Sequence, residues 1–413
     1  MRGRYDAWRM ARRGAGEVVR EIAEERTVGM SLRRAGGAGV ALLLLCGCGG
    51  VPAGKEKAMT TIDTAAAVRR EGGKVWIEGV KGFDAGEYAS SVHGAQARIL
   101  QALGEDLTYD DLICYAGFAF RIGCHEQMCP SAGHPCCGYM CVKGSVRAMP
   151  RKLKLFEAGP WVKPKADRAA FEAEARAAVK ASIDRGVPVQ YGSEEDGLIV
   201  GYADEGRRWL CLHPYHKDPA ERFRHDEASG FAGGKWPWGI AIWDEPRPPG
   251  ERPSDRELTV AALRQAVDMW KTEKRDKYFC GEAAYRHWLG WLGDVEAGRA
   301  ADPKAGMQGN GWCFDVLVHS RRIAGRWLKA KAAGFDGEAG RQTALAAGHY
   351  TAIAEGCMKG LDCPWDLAPP PGKAGQWTGQ MRQEQVRRLR AARDHDAAAI
   401  TALEKALAAM DGR

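Results

Sequence analysis

The sequence predicts an α+β domain followed by an all-α helical bundle, and three features carry that prediction. An amphipathic helical stretch at about 166–184 runs into three short apolar runs separated by turn residues, the order of a helix leading into an antiparallel meander. Four prolines then fall within residues 246–253, which neither helix nor sheet can continue through. Beyond them, apolar residues recur at three- and four-residue spacing to the end of the chain.

Taken in order, residues 1–29 mix arginines with acids and read as an extension ahead of a true start at Met30. Arg33 and Arg34 precede an uncharged stretch, 35–45, ending in four leucines. That is the pattern of a secretory signal. Its apolar part is about a dozen residues, short of the roughly 20 a spanning helix needs, so residues 30–47 are expected to be cleaved. Leu45-Cys46-Gly47-Cys48 resembles the bacterial lipobox, which implies that the Cys48 thiol is acylated and holds the protein to a membrane through lipid. The residue after Cys48 is Gly49, not Asp, so the usual inner-membrane retention signal is missing and the outer membrane is mildly favoured. Residues 48–61 are small and polar, a tether.

The formal net charge is +7. Residues 1–47 contribute +4 of this, from nine arginines against five acids, which leaves +3 on the remaining 366 residues. That balance is too even to imply a nucleic-acid partner, and none is expected. The length favours two domains, 62–245 and 255–411, about a linker at 246–254.

Within the first, Lys74 to Val80 reads as a strand and Tyr88 to Leu103 as a helix. Thr108 followed by Asp110 and Asp111 starts a helix at Tyr109, and residues 118–122 alternate apolar and other side chains. The helix at 166–184 places Phe171, Ala175, Val179 and Ile183 on one face. The runs 187–192, 198–203 and 209–213 form the meander. The tryptophan-rich 236–244, interrupted by Pro237, reads as an edge strand. Past the prolines, Ser254 and Glu257 form a capping box. Helices are expected from there and at about 281–295, 314–333, 339–356 and 380–410, a bundle of about five.

The order helix, irregular middle, helix and meander, with Gly117-Phe118-Ala119-Phe120-Arg121, Cys129-Pro130-Ser131 and Gly201-Tyr202, resembles the papain-like fold over about residues 74–245. It is most similar to the bacteriocin-processing-type cysteine peptidases and the butirosin-biosynthesis protein H N-terminal family. In those a Cys opens the first helix and a His stands just before an apolar-Gly-Tyr strand. The resemblance implies an α+β papain-like domain. Here Ser90 occupies the nucleophile position, and Glu194-Glu195-Asp196 offers carboxylates where the base would be. A serine hydroxyl has essentially no anion at neutral pH and needs a general base. His93 lies three residues along the same helix and His213 ends a meander strand. His93 on the same helix has a poor geometry toward Ser90, so the expectation is a non-catalytic scaffold that binds a peptide or cell-wall-like ligand. An imidazole nitrogen about 3 Å from that hydroxyl would overturn it. The alternatives are a working serine or cysteine hydrolase or acyltransferase, and a structural envelope protein.

Cys124, His125, Cys129, His134, Cys136, Cys137 and Cys141 crowd into eighteen residues. Zinc would accept four of them, but in an exported chain disulfides are the favoured reading, with Cys114 or Cys211 as a further partner. Cys136 or Cys137 assisted by His134 or His125 is the relocated-nucleophile alternative. Cys280 with Cys313, and Cys357 with Cys363, are further candidate pairs. Tyr285, His287, Trp288, Trp291, Asn310, Trp312, His319, Arg321, Arg322 and Trp327 read as core packing before they read as a glycan-stacking groove.

Overall fold

A computed structural model describes residues 67–83, 88–157, 168–192, 195–212, 223–225, 239–248, 250–300 and 302–412. The signal, Cys48, the tether, Glu194 and His213 lie outside the described residues. The chain is a mixed α/β structure with a curled antiparallel sheet and a C-terminal helical region.

The sheet opens with a hairpin, β1 (Val68–Glu71), absent from the sequence reading, and β2 (Lys74–Ile77), the strand expected over 74–80, turning through Gly72 and Gly73 at positive φ. Helices α1 (Ser91–Ala102) and α2 (Tyr109–Tyr115) follow, the second closed at its start by a Thr108–Asp111 capping box. A short strand β3 (Gly123–His125), helix α3 (Lys143–Ala148) and strand β4 (Arg151–Glu157) lead to α4 (Arg168–Asp184). The meander is β5 (Val189–Gly192), β6 (Asp196–Ala203) and β7 (Arg208–Leu212), followed by β8 (Phe223–His225) and β9 (Gly239–Pro246). Strand order is β1-β2-β6-β5-β9-β4, with β7 and then β8 leaving from β6.

Both faces of the sheet are covered, which explains why every residue of β6 is buried. Successive strand residues point to opposite faces. Ile199 packs with Ala175, Val179 and Ile183 of α4, while Leu198 and Val200 pack with Ala95, Ile99 and Leu100 of α1. Each such Val, Ile or Leu contributes about 1.5–3 kcal/mol by full burial. The edge assignment for 236–244 is corrected: β9 lies inside the sheet between β5 and β4. Its outer neighbour, Arg-Lys-Leu-Lys-Leu-Phe-Glu, alternates charge with apolar side chains as a half-buried strand does.

The C-terminal region holds the five expected helices: α5 (Asp255–Lys271), α6 (Gly281–Glu296), α7 (Pro303–Ala332), α8 (Gly337–Met358) and α9 (Gly379–Met410). The Ser254–Glu257 capping box starts α5. Between α5 and α6 a strand pair, β10 (Lys274–Arg275) and β11 (Tyr278–Cys280), joins β3 in a small second sheet. Among the described residues no helix is long and apolar enough to cross a membrane. The largest core does not divide at the prolines. It runs from Ala89, Ile113 and Phe118 through Tyr285, Trp288 and Phe314 to Leu403 and Leu407, so residues 113–148 pack with the helices.

Candidate functional site at the front of the first helix

Ser90 is the N-cap of α1, in extended backbone, and its side chain accepts from the His93 amide at 3.5 Å. The Ser90 amide donates to the Tyr109 hydroxyl at 3.1 Å. The expectation that no imidazole reaches Ser90 is corrected here: His93 Nδ1 stands 2.9 Å from Ser90 Oγ, the distance at which a non-catalytic reading fails if the ring is a usable base. Three residues along a helix is the spacing at which an N3 side chain folds back on the N-cap, and that is how His93 arrives. Ser90 Oγ and His93 Nδ1 share a hydrogen bond whose direction follows the ring tautomer.

Two properties limit what this pair can do. Ser90 is 4 % exposed and His93 0 %, with Val92 packed beside Cys136 and Val142 over the helix front. Burial also drives the His93 pKa down to about 3; the Cys141 backbone opposes the fall and the Arg121 charge adds to it. Nε2 turns toward that backbone without closing a normal hydrogen bond. A ring that resists protonation this strongly is a poor acceptor for a serine proton.

The side chain that crosses from α1 to the meander is the next one. Ser91 Oγ donates to Glu195 Oε2 in a short hydrogen bond and accepts from the Asp196 amide at 3.1 Å. Asp196 opens β6 and takes a 2.6 Å hydrogen bond from Gln190 Nε2 on β5. Glu195 therefore stands immediately before the apolar-Gly-Tyr strand, and Ser91 is the first residue of the helix. The hydroxyl that meets a carboxylate before β6 is thus that of Ser91, one residue past Ser90.

No protein-family model matches the chain, and no curated protein matches it.

The sulfur-rich loop is organised by a buried cation. Arg121 donates from Nη1 to the carbonyls of Cys137 (2.7 Å) and Tyr139 (3.0 Å), and from Nη2 to those of Ala132 (2.6 Å) and His134 (3.0 Å). The expected disulfides are not formed: none of Cys114, Cys124, Cys129, Cys136, Cys137, Cys141, Cys211, Cys280, Cys313, Cys357 and Cys363 is bridged. Nor, among the described residues, do three His, Cys, Asp or Glu side chains converge as zinc would need. The loop wraps a guanidinium, so its sulfurs point to separate neighbours. Cys124 meets Met128 Sδ at 3.2 Å and Cys141 meets Met269 Sδ at 3.5 Å. The imidazoles proposed to activate Cys136 or Cys137 are engaged otherwise, His134 Nδ1 accepting from the Cys136 amide (3.3 Å) and His125 Nδ1 from the Gln127 amide (3.1 Å).

The aromatic cluster of the helical region separates into two sets. Tyr285, Trp288, Asn310, Arg321 and Trp327 are buried. Trp288 donates to Asn310 at 2.7 Å, and Trp327 donates to Asp111 of α2 at 2.9 Å. Arg322 is exposed. Trp312, His319, His287 and Trp291 are partly exposed but already paired: Trp312 edge-on to Trp365, His287 stacked on Phe279, Trp291 stacked on Trp377, and His319 3.7 Å from Asp315. Core packing accounts for the first set.

Sequence reasoning missed Ser91, Gln190 and the organising role of Arg121. The Ser90-Ser91 doublet hides which hydroxyl faces the sheet, since one helical residue turns the side chain by about 100°. Glu195 was among the carboxylates named.

Proposed function

We propose that this chain is an exported, lipid-anchored binding protein whose α+β region is a papain-like scaffold without peptidase chemistry, taking a peptide or cell-wall-like ligand. The observation that carries the reading is the Ser91–Glu195 pair. It joins the helix front, one residue past the Ser90 that the resemblance aligns with the nucleophile, to the carboxylate run before β6. A carboxylate, with an ordinary pKa near 4, is far too weak a base to ionise an alcohol. The pair instead ties α1 to β6, a structural task. The ligand class is carried over from the papain-like resemblance alone, an analogy between folds.

The test has two arms. Purified protein is treated with a fluorophosphonate and with an iodoacetamide activity probe, and is then titrated with cell-wall fragments and peptides in a thermal-shift assay. The proposal expects no labelling of Ser90 or Ser91 and a concentration-dependent stabilisation by one ligand. Labelling lost in Ser90→Ala or Ser91→Ala refutes the non-catalytic half. A flat melting temperature throughout refutes the binding half and leaves a structural envelope role.

A second reading, a serine hydrolase, is favoured by one observation, the 2.9 Å contact of His93 with Ser90. It requires probe labelling that disappears in both Ser90→Ala and His93→Ala.

A further inference from the structure

Helix α7 turns Gly306, Gly309, Cys313 and Val316 to one face, and the sulfur-rich loop lies along it. A β-carbon on Gly306 would come within 3.2 Å of Met128 Cβ. One on Gly309 would stand 1.7 Å from the Met128 carbonyl oxygen and 3.0 Å from the Cys129 backbone carbon. One on Gly133 would stand 3.3 Å from Val316 Cγ2. Residues 128–133 thus track the helix from 306 to 316, and Cys313 falls on the covered face between the points where Cys129 and Gly133 touch it.

Three thiols lie along this seam. Cys124 and Cys313 are buried, and Cys129 is partly exposed. Cys129 meets the helix at Gly309, one turn before Cys313 on the same face. Cys124 is fully buried and turned to the Met128 sulfur, whereas Cys129 is the thiol a solute can reach.

We propose that Cys129 and Cys313 form a dithiol that closes to a disulfide by exchange with a small disulfide oxidant, fastening the loop to α7. The Cys129 thiolate attacks one sulfur of the oxidant R–S–S–R, forming Cys129–S–S–R and releasing one R–S⁻. The Cys313 thiolate then attacks Cys129 Sγ, the mixed disulfide breaks, and the second R–S⁻ leaves. Two cysteine thiols are oxidised, one oxidant disulfide is reduced, and the two protons end on two R–SH. This inference is independent of the peptidase-like reading.

Burial pushes the Cys313 thiol up to about 12. The second step therefore follows a small thiolate fraction and gains about tenfold per pH unit near neutrality.

The experiment incubates the reduced full chain with oxidised glutathione at pH 7 and pH 9, then quenches, alkylates and maps peptides by mass spectrometry without reduction. The expected result is glutathione on Cys129 at early times, converting to a Cys129–Cys313 linked peptide faster at pH 9. Cys313→Ser should hold glutathione on Cys129, and Cys124→Ser should still give the link. Cys129→Ser, a change at a partly exposed site, should leave Cys313 unmodified, and it keeps the test usable where Cys313→Ser does not fold. The proposal is overturned by Cys129 bridged to a different cysteine, by both thiols staying reduced, or by glutathione on Cys313 in Cys129→Ser.

Discussion

Arg321 and Asp396 face each other as a two-pronged ion pair, Nε to Oδ1 and Nη2 to Oδ2 both at 2.8 Å, with side chains 0 % and 2 % exposed. Tyr285 adds a 2.7 Å hydrogen bond to Asp396, and the remaining Arg321 nitrogen donates to the carbonyls of Ala119 (2.8 Å) and Arg121 (3.2 Å). One guanidinium thus joins α7 and α9 to the segment before β3. Asp396→Ala leaves a buried cation without its counter-charge and should cost about 3–5 kcal/mol. Urea denaturation of Asp396→Ala beside the double variant Arg321→Met/Asp396→Leu checks this, since the double variant should recover most of the loss.

Two glycine substitutions should move stability in opposite directions. Gly309→Ala drives a methyl into the Met128 backbone, which cannot swing aside, and should cost about 1–3 kcal/mol or more. Gly348→Ala, inside α8 with open space around it, should gain up to about 1 kcal/mol in helix propensity. Thermal melts of the two single variants suffice.

Acid should destabilise the fold through His93. Its folded pKa is about 3 against an ordinary 6.5, so between those values the unfolded chain binds the extra proton. Stability contributed by the neutral ring is present above pH 6.5 and falls as pH drops toward 3, by up to about 1.4 kcal/mol per unit. Unfolding free energies of wild type and His93→Gln between pH 4 and 7.5 should show the shallower slope in the variant.

Cys48→Ser should abolish incorporation of radiolabelled palmitate and move the protein from the membrane to the soluble fraction of cells. Retention of label would place the lipid elsewhere.

Much of the architecture was legible because burial imposes periodicity. The 3.6 spacing of Ala175, Val179 and Ile183, and the Ser254–Glu257 and Thr108–Asp111 boxes, located three helices to within a few residues. Helix α7 was read as starting at 314, eleven residues late, because Gly306, Gly309 and Gly311 look like a loop. They are small because Met128, Cys129 and Trp365 press on the helix there, a tertiary cause that local propensity does not carry. The front of α1 failed for a similar reason. A one-residue ambiguity in the Ser90-Ser91 doublet decides which hydroxyl meets Glu195, and the fold-back of His93 depends on rotamers the sequence does not reveal.

The core that runs from Ala89 to Leu407 governs the timing of folding. Partners such as Arg121 and Arg321, or Arg321 and Asp396, are separated by 200 and 75 positions. During synthesis the carbonyls of Ala119 and Arg121 therefore lack their buried partner until α7 has emerged. Cutting the chain at its prolines should accordingly yield two insoluble pieces, and a truncation lacking α7 and all that follows it should leave residues 113–148 open to proteases.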